Sequence, residues 1–159
     1  MNQLLKITFL IYFITHIPIT LCLDLQILLG QFYPDNLRSL FTWYVSVFND
    51  RLLATRPIWL QSFIFAELVL QLPFFFAAVY GIAYEKKWIR IPAIIYGSHV
   101  ATTVIPILAE VAFSTELTFH EKLVLCSVYL PYFLIPAALV WVFGISTDPF
   151  AQSKSKKRN

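Results

Sequence analysis

Hydrophobic residues are grouped along this chain into four long runs, separated by shorter polar stretches. The runs extend over about 7–29, 58–84, 91–113 and 122–145. Each is long enough to cross a bilayer as an α-helix, which takes about 20 residues. The first run contains His16, Pro18 and Asp24 and has no convincing cleavage site, which is unlike a secretory signal. The pattern therefore predicts four transmembrane helices.

The only sizeable connection, residues 30–57, follows the first run. It begins with the turn residues Tyr33, Pro34, Asp35 and Asn36, and its next stretch, 37–48, is amphipathic at helical spacing. We expect a short helix there, either lying on the membrane surface or capping the bundle. Together the pattern predicts an all-α membrane protein, a four-transmembrane-helix bundle with a lumenal capping segment.

Every run contains at least one proline, and we expect these prolines to kink the helices. They are Pro18, Pro73, Pro106, Pro131 and Pro136. Kinks at middle depth either open a cavity inside the bundle or produce only curvature. Both alternatives are open from the sequence.

Composition agrees with a membrane protein, since 58% of residues are hydrophobic and 13% are charged, against about 25% charged in soluble domains. The net charge of +3 comes largely from the last residues, which argues against a nucleic-acid-binding surface. Cys22 and Cys126 lie in apolar runs, and we expect small buried side chains without a disulfide framework.

The distribution of basic residues predicts the orientation. Eight lysines and arginines lie on the side that carries both termini and loop 85–90, and four lie on the other side. We therefore expect both termini in the cytosol. Residues 1–150 are expected to form the transmembrane domain, and 151–159 a basic cytosolic tail.

Ionisable groups inside a membrane are unfavourable by a few kcal/mol unless they face the interior and have partners. Asp24, Glu67 and His99 are such groups, and each belongs to a polar stripe at three- or four-residue spacing. The stripes are Tyr12, His16, Thr20 and Asp24; Glu67 and Gln71; Tyr96, His99, Thr103, Pro106 and Glu110; and Tyr129 and Tyr132. Four polar helix faces predict a shared polar interior.

Asp24 and Glu67 are expected at similar depth, because their helices run in opposite directions. Two carboxyl groups in a medium of low dielectric constant favour one shared proton, which leaves a single negative charge suited to a cationic amine. Nearby aromatic rings favour the same cation. The pair could instead join two helices or carry out proton chemistry, and the sequence leaves all three roles open.

Several of these runs closely resemble a known family. They are HIPITLCLDLQ (16–26), AELVLQLPFF (66–75), KWIRIPAIIYGSH (87–99), TTVIPIL (102–108) and SVYLPYFLIP (127–136). The chain resembles the sigma-2 receptor (transmembrane protein 97) family of the EXPERA superfamily, which also contains the emopamil-binding sterol isomerase. The resemblance implies a four-helix protein of the endoplasmic reticulum with cytosolic termini, often dimeric, whose pocket opens laterally to the bilayer.

The resemblance also implies roles for single residues. Asp24 matches the aspartate that pairs with a ligand's amine, and Glu67 the glutamate that holds it in place. The family's pocket positions correspond to Gln71, Tyr96, Thr103 and Tyr132, with His16 beside them. Asp50 matches a second aspartate that is structural. No catalytic residue, cofactor or metal is expected.

By this resemblance the ligands are sterols, oxysterols or amphiphilic amines, and the function is intracellular sterol transport and homeostasis. The alternatives are a sterol double-bond isomerase and a factor of the endoplasmic reticulum that assists membrane-protein clients or mitochondrial precursors. Glu110 and the short loop 114–120 depart from the animal proteins of the family, and the role of Glu110 is open. Lys156 and Lys157 stand where a dilysine retrieval signal requires them.

Overall fold

Four long helical segments form the protein in a computed structural model, which describes residues 1–151. The segments are Gln3–Phe32, Ile58–Ala83, Lys87–Phe113 and Phe119–Ile145, and each is long and apolar enough to cross a membrane. The four predicted spans are thereby confirmed, and the chain is an all-α, multi-pass membrane protein. The proposed retrieval signal, Lys156 and Lys157, lies outside the described residues.

Two of the four spans are interrupted by a π turn. The first consists of α1 (Gln3–Ile19), a π turn (Thr20–Asp24), α2 (Gln26–Leu29) and a 3₁₀ turn (Gly30–Phe32). Two short helices follow, α3 (Asp35–Phe48) and α4 (Arg51–Thr55). The second span consists of α5 (Ile58–Ala66), a π turn (Glu67–Gln71) and α6 (Leu72–Ala83). The third is a 3₁₀ turn (Lys87–Ile89) with α7 (Arg90–Phe113), and the fourth is α8 (Phe119–Ile145).

The predicted amphipathic helix after the first span is confirmed as α3. Phe41 is buried, whereas Trp43 and Val47 on another face are exposed, so α3 covers one end of the bundle with part of its surface only. The helix ends at Asn49, whose left-handed backbone (φ 49°) is tolerated well by asparagine.

Helix α4 was not predicted, because five residues are too few to show a periodic pattern. Its start is fixed by the Asp50 side chain, which accepts a hydrogen bond from the Leu53 N–H.

Ion pairs hold together the end of the bundle that carries the termini. Lys6 Nζ lies 2.8 Å from Glu85 Oε1, and Lys87 Nζ lies 2.8 Å from Asp148 Oδ2. Phe150 packs its fully buried ring against Phe143 at the same end. We call this the terminal end, and the opposite end, covered by α3 and α4, the capped end.

The core consists of two hydrophobic clusters. One lies toward the terminal end and includes Phe9, Phe13, Phe75, Ile82 and Phe143; the other lies toward the capped end and includes Leu25, Phe41, Leu52, Leu60 and Leu125. Cys22 and Cys126 are free thiols of intermediate exposure, less buried than the sequence suggested.

The prolines differ in their surroundings. Pro106 lies within the continuous helix α7, and Pro131 and Pro136 lie within α8. Pro73, in contrast, is the second residue after the π turn of the second span. A proline ring clashes with the carbonyl four residues earlier, here Val69, and a wider π turn around that carbonyl gives the ring room.

Helices α7 and α8 lie very close together at Gly97. A Cβ atom there would lie 2.7 Å from the Pro136 carbonyl oxygen and 2.7 Å from Val140 Cγ2. We predict that Gly97→Ala lowers the free energy of unfolding by about 1–3 kcal/mol, the usual effect of overpacking, because a backbone atom has to move. Thermal unfolding in detergent measures this, with Gly144→Ala as the control, since a Cβ at Gly144 meets nothing within 4 Å. Equal stability of the two variants would contradict the close approach.

Candidate functional site

A cavity of about 220 Å³ lies inside the bundle, between the two core clusters. All four spans and both short helices contribute to its wall. The apolar lining consists of Ile19, Leu23, Leu53, Leu60, Phe63, Ile64, Val100, Val104, Ile107 and Val128. The polar lining consists of His16, Asp24, Tyr44, Glu67, Gln71, Thr103, Tyr129 and Tyr132. The cavity is thus mainly hydrophobic, with a few polar groups converging on it, as ligand sites usually are.

Most residues that the sequence singled out as ligand-binding meet in this cavity. His16, Asp24, Glu67, Gln71, Thr103 and Tyr132 all line it. Tyr96 is not among the lining residues: it is buried in the core, where its hydroxyl lies 3.0 Å from that of Tyr12 and its ring stacks on Phe74.

The predicted polar face of the third span was therefore only partly right, since Thr103 reaches the cavity and Tyr96, His99 and Glu110 do not. His99 Nε2 is buried and has no hydrogen-bond partner among the described residues. Glu110 is exposed and lines a separate groove of about 610 Å³ at the capped end. Alternating steps of three and four residues drift by only about 20° in seven residues, so these residues stay near one helix face and differ mainly in depth. Tyr96 lies in the core cluster toward the terminal end and Glu110 in the groove at the capped end, with Thr103 between them.

An acidic cluster occupies one wall of the cavity. His16, Asp24 and Glu67 each offer one nitrogen or oxygen atom, and these atoms all lie within 4.8 Å of one another. The Thr20 hydroxyl donates to Glu67 Oε1. His16 Nε2 lies 3.6 Å from the same oxygen, which is too long for a hydrogen bond. The expected proximity of Asp24 and Glu67 is thus found in the structure.

Both carboxylates of the cluster lie in π turns. Asp24 ends the π turn of the first span, and Glu67 begins that of the second. Backbone hydrogen bonds there connect residues five apart, as in a π-helix. The Leu25 N–H donates to the Thr20 carbonyl and the Leu72 N–H donates to the Glu67 carbonyl. Such insertions in α-helices are often found at functional sites.

The first π turn explains how a stripe with a strict four-residue spacing stays on one side. In an α-helix each step of four residues overshoots a full turn by about 40°, so Thr20 is already rotated away from Tyr12. A π turn contains more residues per turn, and the step from Thr20 to Asp24 rotates the side chain back. His16, Asp24 and the bond from Thr20 to Glu67 therefore meet at one wall.

Aromatic rings surround the His16 imidazole on the side of the terminal end. It stacks on Phe75 with ring centroids 4.6 Å apart, and Tyr12 and Tyr132 approach edge-on at 5.0 and 4.9 Å. His16 is only 6% exposed, and its Nδ1 has no hydrogen-bond partner among the described residues. The ring is thus fixed in position by packing, without hydrogen bonds.

Asp50 connects α4 to the cavity wall. Its carboxylate accepts from the Leu53 N–H at 3.1 Å and from the hydroxyl of Tyr129 at 2.5 Å, and Tyr129 itself lines the cavity. Burial raises the pKa of Asp50 above its ordinary value, and these hydrogen bonds oppose the rise in part. The arrangement agrees with a structural role for this residue.

We predict that Tyr129→Phe lowers the free energy of unfolding by about 1–3 kcal/mol, because one oxygen of the buried Asp50 carboxylate loses its donor. Tyr84→Phe, at an exposed position, is the matched control. Chemical or thermal unfolding in detergent gives the comparison. Similar curves for both variants would show that the Tyr129 hydroxyl does not stabilise α4.

Two cavity residues, Tyr44 and Leu53, were not predicted as part of the site. The sequence pattern assigned Tyr44 only to the amphipathic helix and assigned Leu53 to no helix. The signal for Tyr44 was its position on the helix face that carries Phe41 and Phe48. Leu53 had no comparable signal, because its position depends on how α4 folds back over the bundle.

Comparison with known proteins identifies the family. The family model described as EBP, EXPERA (EXPanded EBP superfamily), matches residues 36–143. The chain is 44% identical to Sigma intracellular receptor 2 of Xenopus tropicalis, over 98% of this chain and 96% of that protein. It is 44% identical to Sigma intracellular receptor 2 of Homo sapiens, over 93% of this chain and 91% of that protein.

A fungal protein is also similar. Efficient mitochondria targeting-associated protein 19 of Saccharomyces cerevisiae is 32% identical, over 84% of this chain and 94% of that protein. The matches to the receptor proteins and to the family model extend across all or most of the bundle described above. The chain belongs to the EXPERA family, the expanded EBP superfamily, and within it to the family of the sigma-2 receptor.

Proposed function

We propose that this chain is a non-catalytic binding protein that takes sterols, oxysterols or amphiphilic amines into the bundle. The observation that carries the proposal is the acidic cluster of Asp24 and Glu67 on the wall of an otherwise hydrophobic cavity. A water-soluble ligand would not reach a pocket between membrane-spanning helices, whereas an amphiphile dissolved in the bilayer would enter it from the membrane.

A cationic amine is stabilised in such a cavity by two effects. The negative charge shared by Asp24 and Glu67 acts through a medium of low dielectric constant, which strengthens its attraction for a cation. The rings of Tyr44, Phe63 and Tyr132 line the same space, and aromatic faces attract cations further. Asp24 is proposed as the group that pairs with the amine, and Glu67 as the group that orients Asp24.

A neutral sterol would use the same cavity differently. Its ring system would pack against the aliphatic wall formed by Ile64, Val100 and Val104. Its hydroxyl group would find hydrogen-bonding partners in the polar lining, where Gln71 and Thr103 offer both donors and acceptors.

The cellular setting is part of the proposal. We place the protein in the membrane of the endoplasmic reticulum with both termini in the cytosol, as the excess of lysine and arginine on the side of the termini favours. There it would act in intracellular sterol transport and homeostasis, as a homodimer. The names of the receptors that it resembles describe those proteins as intracellular, which supports an intracellular membrane as the location.

Photo-crosslinking tests the proposal. The purified chain in lipid nanodiscs is labelled with a photoactivatable sterol, and the labelled peptides are mapped. We expect labelling on cavity residues of α5 and α7, such as Ile64 and Val104, and its loss in excess unlabelled amine. Labelling restricted to exposed positions such as Phe65 and Ile105, unaffected by competitor, would contradict the proposal.

A second candidate function, sterol double-bond isomerisation, is favoured by one observation. His16, Asp24 and Glu67 lie within 4.8 Å of one another, so an acid and a base are available beside a cavity with aromatic walls. Incubation with a sterol substrate and detection of a shifted double bond would support the enzyme. If a sterol binds and no product forms, the result would contradict the enzyme and support the binding protein.

A third candidate is suggested by the fungal relative, whose name refers to mitochondrial targeting. The chain would then assist membrane proteins or mitochondrial precursors at the endoplasmic reticulum. Co-purification of a defined client, lost when the cavity is filled with ligand, would distinguish this role from sterol transport.

A further inference from the structure

The groove at the capped end is separate from the cavity. It has a volume of about 610 Å³, lies between α4, the last two turns of α7 and the loop that follows α7, and shares no lining residue with the cavity. We propose that this groove binds the head group of a phospholipid that carries both a phosphate and a primary ammonium group, as phosphatidylethanolamine does. The inference goes beyond the proposed function and does not depend on it.

The groove crosses the boundary between a membrane span and the capped end. Its wall on α7 is formed by the final residues of the third span, among them Pro106 and Phe113, and Phe113 is 84% exposed. Its other walls come from α4 and the loop, which lie outside the spans. Phospholipid head groups lie at such a boundary. An acyl chain could therefore run along α7 while its head group reaches α4 and the loop.

Arg51, the first residue of α4, supplies the positive charge of the groove. Its Nε lies 3.5 Å from Glu116 Oε2, and such an N–O distance is too long for a good hydrogen bond. The guanidinium group makes no hydrogen bond within the described residues, and the side chain is 53% exposed. Guanidinium groups bind phosphate oxygens with two parallel hydrogen bonds. Arg51 is therefore available to a phosphate group.

Glu110 supplies a negative charge on the membrane side of the groove. It lies three residues before Phe113, the last residue of α7, and its side chain is exposed. In the part of the chain that the structure describes, this side chain has no hydrogen bond and no ion pair. A carboxylate at the end of a span is unfavourable without a partner. An ammonium group from the lipid would be that partner, because it donates several hydrogen bonds and a carboxylate only accepts them.

The combination of charges selects the class of lipid. An anionic phospholipid without an ammonium group would suit Arg51 but would be repelled by Glu110. Asp50 also lines the groove, but both of its carboxylate oxygens already accept hydrogen bonds, from the Leu53 N–H and the Tyr129 hydroxyl. The head group therefore needs one negative and one positive charge.

The type of ammonium group follows from the aromatic content of the groove. Quaternary ammonium groups such as choline are typically bound by cages of several aromatic rings. Within the described residues, Phe113 is the only aromatic residue that lines the groove. A primary ammonium group, which can donate hydrogen bonds to Glu110, is the better match. This favours ethanolamine over choline.

Native mass spectrometry tests the site. The full chain is purified in detergent, stripped of lipid and titrated with four lipids that have the same acyl chains: phosphatidylethanolamine, phosphatidylcholine, phosphatidylglycerol and diacylglycerol. Phosphatidylglycerol has the phosphate without an ammonium group, and diacylglycerol has neither. Soluble phosphoethanolamine shows whether the head group binds without its membrane anchor. The titration is repeated with the cavity saturated by an amine ligand.

We expect one molecule of phosphatidylethanolamine per chain, bound more tightly than the other three lipids and not displaced by the amine. Arg51→Gln should weaken the binding of phosphatidylethanolamine and phosphatidylglycerol by about 3- to 10-fold, as expected for a charged contact at a partly exposed position. Glu110→Gln should weaken phosphatidylethanolamine by a similar factor and should not weaken phosphatidylglycerol. Thermal unfolding in detergent shows that each variant is folded.

Arg38→Gln is the matched control. Arg38 is also 53% exposed and paired with a carboxylate, Asp35, but it lies on α3 outside the groove. This variant should bind phosphatidylethanolamine as the unmodified chain does. An equal loss in Arg38→Gln and Arg51→Gln would show that only the overall charge of the capped end matters, and would contradict the site.

Other results would also overturn the proposal. If phosphatidylethanolamine bound no better than diacylglycerol, the head group would not be recognised. If its binding persisted in both Arg51→Gln and Glu110→Gln, the lipid would lie elsewhere. Displacement by the amine would place it in the cavity. If soluble phosphoethanolamine bound as tightly as the lipid, the groove would be a site for a free phosphate compound and not for a membrane lipid.

Discussion

Replacement of Asp24 by asparagine should weaken the binding of a cationic amphiphilic amine by at least about 30-fold, corresponding to 2 kcal/mol or more. The reason is that asparagine keeps the size and polarity of the side chain and removes only its charge. An amine that stays protonated in the cavity then lacks its partner. Saturation binding of a radiolabelled amine to the purified variant gives the affinity.

Two comparisons make this prediction specific. Asp35→Asn removes the same charge from the exposed start of α3, where Asp35 pairs with Arg38, and should leave affinity unchanged. Binding of a neutral sterol to the Asp24→Asn variant should fall much less than binding of the amine. A folded Asp24→Asn protein that binds the amine as the unmodified chain does would exclude Asp24 as the amine's partner.

Filling the cavity should affect both classes of ligand equally. Val104 is buried and lines the cavity from α7, and Val104→Phe places a ring in the space that a ligand would occupy. The resulting overpacking of the occupied cavity, about 1–3 kcal/mol, corresponds to a loss of affinity of about 5- to 150-fold for amine and sterol alike. Competition binding with one ligand of each class measures the loss.

The control for Val104→Phe is Val69→Phe, the same substitution at a position that is 51% exposed on the second span. It should retain both affinities, because the added ring lies outside the bundle. If Val104→Phe retained them as well in a protein of unchanged stability, the ligands would bind outside this cavity. Loss of amine binding alone would indicate that sterols use another site.

The extent of the spans was predictable from the sequence because the bilayer imposes it. A run of about 20 apolar residues has few alternatives to a membrane helix, and all four runs form one. The short helix α3 was predictable for a related reason, since its apolar and polar faces alternate at helical spacing. In contrast, α4 depends on a single capping contact of Asp50, and a five-residue helix leaves no periodic pattern.

The acidic cluster was predictable in part. Charged groups within a span have few favourable environments, so Asp24 and Glu67 could be expected to face the interior together, as they do. The position of Tyr96 could not be derived in this way. A tyrosine hydroxyl is satisfied by one good partner, and Tyr12 provides it within the packed core, so Tyr96 does not need the cavity.

The two π turns were not foreseen, because no residue type specifies them. Each depends on the packing of a whole span against its neighbours, and only Pro73 has a local effect that favours the wider turn. Kinks at the other prolines stay a prediction, since α7 and α8 continue through theirs as α-helices.

The two π turns have a consequence for how this fold could have evolved. A π turn is what remains when one codon is inserted into the gene for an α-helix and the packing on both sides is kept. Thr20–Asp24 and Glu67–Gln71 would then each record one such insertion. The carboxylates would have been brought to face each other by a change in chain length, without any change in the flanking amino acids.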